Sequence, residues 1–228
     1  MITPAWARIL PFAAYMAFVA GVSGLSTLAE VLPDWAAVVP AVELWHYPFK
    51  VLVVGILLAM FWSRYDELKD HALRPLGDVG LACVVGVLVY LAWVRMDWPW
   101  ATLGSGTGYN PFTAGEAGVW LAAARLFGAS VVVPLMEELF WRSFLLRYLI
   151  SPQFETVAIG VFTPMSCLVT VALFGFEHYL WFAGMVAGLA YTVLCYYTRR
   201  LWPAVIAHGV TNLCLGIHVL LTEEWQWW

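Results

Sequence analysis

Long apolar runs separated by short polar segments make up most of the chain. Seven runs reach or approach the length of a membrane-spanning helix, at residues 9–29, 46–63, 79–96 and 117–149, within 157–180 and 180–198, and at 202–221. An α-helix needs about 20 mainly apolar residues to cross the hydrocarbon core of a bilayer. The pattern therefore predicts an all-α, polytopic transmembrane helix bundle of about seven helices, with six or eight helices as the alternatives.

Composition supports the same class and excludes others. Of the 228 residues, 63% are hydrophobic and only 11% are charged, whereas soluble domains carry about 25% charged residues. These values exclude a disordered chain and predict a single membrane domain over 1–228, with the lipid bilayer as a partner. With 11 basic residues and a net charge of −4, the chain offers no basic surface for nucleic acid. The four cysteines show no C-x-x-C spacing, so no zinc or redox motif is indicated.

The placement of the basic residues predicts the orientation of the bundle. Lys and Arg occur near the N-terminus and in the segments 64–78, 147–156 and 199–200. The alternate segments, 30–45 and 97–116, carry acidic residues but no Lys or Arg. Because basic loops face the cytoplasm, the N-terminus is predicted to be cytoplasmic and the C-terminus to lie on the other side.

Two segments are predicted to lie on the non-cytoplasmic side. The stretch 97–117 is rich in Gly, Pro and Thr, and it is expected to be an ordinary connector or a flexible lid over a cavity. The tail 223–228, which contains three tryptophans, is expected to anchor the chain at the membrane interface.

The most informative feature is a set of ionisable side chains inside the apolar runs. A charged side chain at the centre of a membrane helix costs about 2.5–3.5 kcal/mol on insertion scales, so its default interpretation is functional. In the fourth run, Glu138 and Arg142 are four residues apart and can pair on one helix face. That pairing would leave Glu137 with spare acceptor capacity, and Pro134 predicts a kink and a free backbone carbonyl. An equally supported alternative is a structural ion-pair cluster at the cytoplasmic end of the helix.

A second cluster lies near the end of the fifth run, where Phe174 and His178 are four residues apart and are predicted to share a helix face. Thr163 and Pro164 predict the start of this helix, because threonine is a favoured N-cap and proline a favoured first residue. At 1.5 Å per residue, His178 would then lie about 21 Å into the helix. Glu177 is expected to face the outer interface. A packing role for His178 is the alternative to a catalytic one.

A third cluster lies in the seventh run, where His208 and Asn212 are four residues apart and Pro203 marks the helix start. Two such side chains on one apolar face can donate hydrogen bonds, either to a neighbouring helix or to a ligand. Together with Glu137 and His178, they supply the parts of a water-activating hydrolytic site. The glutamate would polarise water with the help of a histidine, while a histidine and the asparagine would donate to the oxyanion.

The three motifs E-E-x-x-x-R, F-x-x-x-H and H-x-x-x-N, in this order on apolar helices, resemble those of the CPBP family of intramembrane endopeptidases. This family includes CAAX proteases and bacteriocin-processing enzymes. The resemblance covers residues 118–216, which are expected to form the catalytic core. The overall form also resembles the CAAX prenyl protease-related subgroup associated with PEP-CTERM and exosortase bacteria.

The resemblance implies roles for the polar residues. Glu137 matches the glutamate that activates water, and His178 matches the histidine that assists it. His208 and Asn212 match the pair that stabilises the oxyanion. Glu138 and Arg142 match accessory positions that shape the site.

The implied reaction is hydrolysis of a peptide bond in a membrane-associated protein or peptide, in a bacterial inner membrane. No cofactor is expected, although Glu137, His178 and His208 would also suit a zinc site with an open coordination position. Two other functions fit the same residues. One is a proton-coupled transporter that uses them as a relay, and the other is a non-enzymatic immunity or binding protein in which they hold helices together.

Overall fold

The computed structural model describes residues 3–69, 77–104 and 108–228, and every regular element in this part of the chain is helical. Its apolar helices are α1 (Pro4–Val31), α2 (Val39–Met60), α3 (Gly77–Trp93), α4 (Pro111–Tyr148), α5 (Pro164–Phe176), α6 (Trp181–Thr198) and α7 (Trp202–Thr222). The prediction of an all-α helix bundle is confirmed.

The helices differ in length. Five of them, α1, α2, α4, α6 and α7, are long and apolar enough to cross a membrane. The other two are apolar but shorter, with 17 residues in α3 and 13 in α5. All seven follow the predicted apolar runs in order. The chain is thus an integral membrane protein. That it crosses the membrane about seven times is still a prediction.

Packing brings the motif-bearing helices together around α4. Helix α1 packs along α2, α3 packs along α7, and α5 packs along α6. Helix α4 contacts α1, α2 and α7, while α6 contacts both α3 and α7. As a result, the polar residues of α4 and α7 face one another across the interior of the bundle.

The helix starts follow their local sequence signals. The predicted N-cap is confirmed at Thr163, whose Oγ1 accepts a hydrogen bond from the N–H of Ser166 at 3.3 Å. Pro164 is the first residue of α5. Pro203 occupies the first turn of α7, where its missing N–H leaves no helical bond unmade.

The expectation that His178 lies inside α5 is wrong. Helix α5 ends at Phe176, and His178 lies in the turn that leads into α6. The chain can reverse here because Gly175 has no Cβ. A Cβ at this position would lie only 2.8 Å from the carbonyl oxygen of Trp181. Glycine therefore permits the close approach of α6 that ends the hairpin, and the turn places His178 at the end of α5.

A buried ionic network ties α1 to α4 at one end of the bundle. Arg8 is 2% exposed and donates from Nε and Nη2 to the two carboxylate oxygens of Glu67, at 2.9 and 2.6 Å. Ser143 also donates to Glu67, and a guanidinium nitrogen of Arg147 lies 3.9 Å from the same carboxylate. Burial alone would raise the pKa of Glu67, but the hydrogen bonds and charge of Arg8 and the bond from Ser143 hold the pKa below its usual range.

The first residues of α3 and α7 lie at the same end. Arg200, just before α7, pairs with Asp78 at the start of α3. The indole Nε1 of Trp202 donates to the carbonyl oxygen of Leu68 at 2.9 Å. Part of the predicted basic segment, including Arg74, lies outside the described residues. Arg8, Arg147 and Arg200 are therefore grouped at one end of the bundle, whereas Arg95 follows the last residue of α3 at the other end.

Candidate active site

The four predicted catalytic residues line one cavity inside the bundle. The cavity has a volume of about 200 Å³, and its lining includes Glu137, His178, His208 and Asn212. These side chains come from α4, from the turn after α5 and from α7. The structure therefore brings together groups that are far apart in sequence.

Glu138 and Arg142 form the predicted buried pair. Arg142 Nη1 donates to Oε1 of Glu138 at 2.9 Å, and the two side chains are 1% and 0% exposed. Nη2 of Arg142 donates to the carbonyl oxygen of Gly188 at 2.9 Å, and its guanidinium lies 4.4 Å from the ring centre of Phe174. His208 Nδ1 donates to the same oxygen of Glu138, at 3.0 Å. Oε1 of Glu138 thus accepts from two donors, which suits a residue that positions its neighbours, while its Oε2 is buried without a partner among the described residues.

Glu137 has a carboxylate oxygen that is still available. The residue is 4% exposed, and its Oε2 is buried without a hydrogen-bond partner among the described residues. Nε2 of His208 lies 3.9 Å from this oxygen, which is too far for a direct hydrogen bond. A water molecule can bridge two polar atoms at such a separation. The spare acceptor capacity inferred for Glu137 is present.

One ring nitrogen of His178 is engaged in a hydrogen bond and the other is available. Its Nδ1 donates to the carbonyl oxygen of Phe174 at 2.7 Å. Because this bond fixes the proton on Nδ1, Nε2 of the neutral ring carries a lone pair. The ring packs edge-on against Trp93, with centroids 5.5 Å apart. Nε2 makes no hydrogen bond within the described part of the chain, so it can accept a proton or orient water.

Pro134 shapes the site through the helix backbone. Helix α4 takes π-helical geometry over Gly128–Val132, directly before the proline-containing turn. In a π turn, the N–H of residue 134 would bond to the carbonyl oxygen of residue 129, but proline has no N–H. Ala129 O instead accepts a hydrogen bond from Nδ2 of Asn212 at 2.8 Å. This bond anchors the Asn212 carboxamide and leaves its second N–H for another acceptor.

The expectation that Glu177 faces the outer interface is wrong. Its Oε2 accepts a hydrogen bond from the indole Nε1 of Trp141 on α4, at 3.1 Å. The side chain therefore turns toward the bundle. It lines a wider cavity of about 590 Å³, which shares His178 with the inner cavity.

The C-terminal tail, which was expected to anchor the chain at the membrane interface, borders two cavities. Trp227 and Trp228 line both the inner and the wider cavity. The predicted connector or lid also contributes here, because the N–H of Leu103 donates to the carbonyl oxygen of Tyr179 at 2.9 Å. Residues 105–107 of that segment lie outside the described residues. The wider cavity is therefore bordered by the tail, by this segment and by the turn after α5.

The residues do not form the zinc site that the resemblance left open. Within residues 3–69, 77–104 and 108–228, no three His, Cys, Asp or Glu side chains converge closely enough to hold a metal ion. Glu137, His178 and His208 share the cavity without forming such a cluster. These three side chains, in this arrangement, do not fit a three-ligand metal centre.

Residues 119–214 match the family model described as Rce1-like, type II CAAX prenyl endopeptidase. Residues 119–214 form an Rce1-like domain. The predicted family resemblance is thus confirmed over this part of the chain, and it supports a protease role in the membrane. The Rce1-like domain runs from α4 into α7 and contains all four predicted catalytic residues. Comparison with curated proteins and with solved structures gives no significant match.

Two basic residues beside the cavity were not singled out by sequence analysis. Arg125 belongs to the Rce1-like domain and lines the cavity, whereas Lys50 lies on α2, outside the domain. The ring of Tyr47 lies close to both, with its centre 4.2 Å from the guanidinium carbon of Arg125 and 4.9 Å from Nζ of Lys50. Their position deep inside apolar runs was the available signal. Helices outside the matched residues thus complete the cavity wall.

Proposed function

We propose that this protein is an intramembrane endopeptidase that hydrolyses a peptide bond in a membrane-associated protein or peptide, using water activated by Glu137. The observation that carries the proposal is the unpartnered carboxylate oxygen of Glu137 in a cavity that also contains His178, His208 and Asn212. The match to a CAAX endopeptidase family supports the reaction class.

Glu137 acts as the general base. A water held between its Oε2 and Nε2 of His208, which are 3.9 Å apart, attacks the carbonyl carbon of the peptide bond and gives a proton to Glu137. Nε2 of His178 assists by accepting a hydrogen bond from the water. As the C–N bond breaks, Glu137 returns the proton to the leaving amide nitrogen, which regenerates the carboxylate. No metal ion is required by this scheme.

His208 and Asn212 stabilise the negative charge that develops on the carbonyl oxygen. One N–H of Asn212 is engaged with Ala129, so the second is available to the oxyanion. Nδ1 of His208 already donates to Glu138 at 3.0 Å. With both ring nitrogens protonated, its Nε2–H donates to the water before attack and to the oxyanion once the water has attacked. Removing one such donor typically lowers kcat by about 10²–10³-fold.

We further propose that the protein resides in a bacterial inner membrane with its N-terminus in the cytoplasm. The grouping of Arg8, Arg147 and Arg200 at one end supports this orientation, because basic ends face the cytoplasm. The wider cavity is bordered by the tail and by the turn after α5, which belong to the opposite end. Substrate peptides would therefore enter from the non-cytoplasmic side.

The proposal is tested by incubating the purified full chain in proteoliposomes with a mixture of synthetic apolar peptides in oxygen-18-labelled water. Mass spectrometry should find paired fragments in which each new carboxyl group contains one labelled oxygen. Folded protein that cleaves no peptide would contradict the proposal. Proton-coupled flux without hydrolysis would instead favour the transporter alternative.

A further inference from the structure

Arg125 is a basic side chain without an acidic partner inside the bundle. Its Nε is buried and has no hydrogen-bond partner, and within the described part of the chain it enters no ion pair. Its guanidinium is always charged. A charge at this depth usually pairs with another protein group, because an uncompensated one is costly. Arg125 is half-buried and also lines the wider cavity, so water or a bound ligand there can supply the acceptor that the described residues do not.

Aromatic rings hold the Arg125 guanidinium in place. Its guanidinium carbon lies 4.2 Å from the ring centre of Tyr47, 5.2 Å from that of Tyr109 and 6.0 Å from that of Trp228. Tyr109 is itself fixed, because its hydroxyl donates to the carbonyl oxygen of Leu44 at 3.0 Å. Aromatic faces attract the cation but leave its N–H groups without acceptors. The arrangement thus orients the guanidinium without neutralising it.

Lys50 adds a second basic group on the same side of the cavity. The residue is 3% exposed, and its Nζ lies 3.9 Å from the ring centre of Tyr15 and 4.9 Å from that of Tyr47. Like Arg125, it enters no ion pair within the described residues. Tyr15 and Tyr47 line the cavity that holds Glu137. Arg125 thus lines this cavity, and Lys50 lies behind the tyrosine rings of its wall.

Arg125 is separated from the hydrolytic end of the cavity, whereas the charge of Lys50 interacts with both Arg125 and Glu137. Arg125 and Glu137 are twelve residues apart on α4, which corresponds to roughly 18 Å along a helix. An extended peptide covers that distance with several residues. A peptide whose anionic group bound Arg125 would therefore present an internal bond to Glu137.

We propose that Arg125, with Lys50 beside it, binds a carboxylate group of the substrate and thereby selects the peptide bond that reaches Glu137. This inference deepens the proposed protease function. The selection of the cleaved bond rests on that function, whereas carboxylate binding itself requires no cleavage. A carboxylate is the anionic group that a peptide carries, and a guanidinium binds it through two parallel hydrogen bonds. The carboxylate comes either from the chain terminus or from an acidic side chain.

Binding of three short probes to the full chain in nanodiscs tests the proposal. The probes are the acetylated tripeptide Leu-Val-Phe with a free terminal carboxylate, the same tripeptide as its amide, and the amide of acetylated Glu-Val-Phe. At least one carboxylate probe should bind roughly 10-fold or more tightly than the uncharged amide, as expected for charge-assisted hydrogen bonds. Preference for the first probe assigns the subsite to the chain terminus, and preference for the third assigns it to an acidic side chain.

Substitutions at Arg125 show whether this preference arises there. In Arg125→Gln, the ratio of the affinity for the carboxylate probe to the affinity for the amide probe should fall to about one. Arg125→Lys, which keeps the charge, should retain part of the preference for the carboxylate probe. Arg95→Gln is the matched control, because Arg95 donates to its own helix at Leu91 and does not line the cavity. Melting temperatures establish that each variant is folded.

Two results would overturn the inference. One is equal binding, or no binding, of all three probes to the wild-type chain. The other is a preference for carboxylate that survives in folded Arg125→Gln. Neither result bears on hydrolysis by Glu137, and a protein that keeps the preference but cleaves nothing would contradict the protease proposal alone.

Discussion

His208 Nδ1 lies 3.0 Å from Oε1 of Glu138, and this contact directs the other ring nitrogen toward Glu137, with 3.9 Å between Nε2 and Oε2. The same Glu138 oxygen also accepts a hydrogen bond from Arg142 at 2.9 Å. Two adjacent glutamates on one helix therefore have different surroundings. Each keeps one carboxylate oxygen without a partner among the described residues, but Glu138 holds Arg142 and His208 through its Oε1 and does not line the cavity, whereas Glu137 lines the cavity.

The buried pair of Glu138 and Arg142 gives a prediction about stability. Replacing Arg142 by Met leaves the Glu138 carboxylate buried without its strongest donor, so we expect a loss of about 3–5 kcal/mol in the free energy of unfolding. Thermal unfolding in detergent measures it. Lys69→Met is the matched control, because the Lys69–Asp66 pair is exposed and such pairs contribute little. Equal melting temperatures for wild type and Arg142→Met would contradict the structural role of the pair.

The fold class followed directly from the apolar runs. A chain that crosses a bilayer has to satisfy its backbone polar groups within each segment, so runs of this length can only be helices. Local signals at Thr163 and Pro203 also placed two helix starts correctly. The end of α5 was not predictable, because it depends on the contact between Gly175 and the backbone of Trp181. Such a contact exists only once α6 has folded back.

The candidate site was predictable where spacing along one helix decides the contact. The four-residue spacing of Glu138 and Arg142 predicted their pair, which the structure shows. Sequence spacing does not show which faces of different helices meet. For that reason, the approach of Lys50 to the same ring as Arg125, and the return of Trp228 to the cavity, became visible only in the structure.

Glu67 gives a prediction about pH. Because its pKa is below the usual range in the folded protein, its contribution to stability is present above the unfolded pKa of about 4.3 and is lost as the pH falls through the folded value. We expect wild type to melt at a higher temperature than Glu67→Gln at neutral pH, with a difference that shrinks below about pH 4. The exposed Glu155→Gln is the control and should follow the wild-type profile. A difference that stays constant down to low pH would refute this account.

The metal-free scheme predicts how the enzyme responds to chelation. Peptide hydrolysis should continue at an unchanged rate after exhaustive dialysis against EDTA, because the base and the oxyanion donors are protein side chains. Loss of activity that zinc alone restores would show that the scheme is wrong.

The proposed orientation predicts which surfaces react with a membrane-impermeant maleimide. Cysteine at Glu116, which is exposed before the buried part of α4, should be labelled from outside intact spheroplasts. Cysteine at Glu155, which is exposed after α4, should be labelled only after permeabilisation. Labelling of the wild-type cysteines supplies the background. The reverse pattern would place the wider cavity on the cytoplasmic side.

The most direct test of the central claim compares peptide hydrolysis by wild type, Glu137→Gln and Glu116→Gln in the same proteoliposomes. Glu137→Gln should lower kcat by about 10²-fold or more, as expected when a general base is lost. Its melting temperature should not fall, because the replaced oxygen has no hydrogen-bond partner among the described residues. Glu116→Gln, which alters an exposed carboxylate outside the cavity, should match wild type. Full activity in Glu137→Gln would contradict the claim that Glu137 activates water, and an unfolded variant would instead favour the alternative in which the polar residues hold helices together.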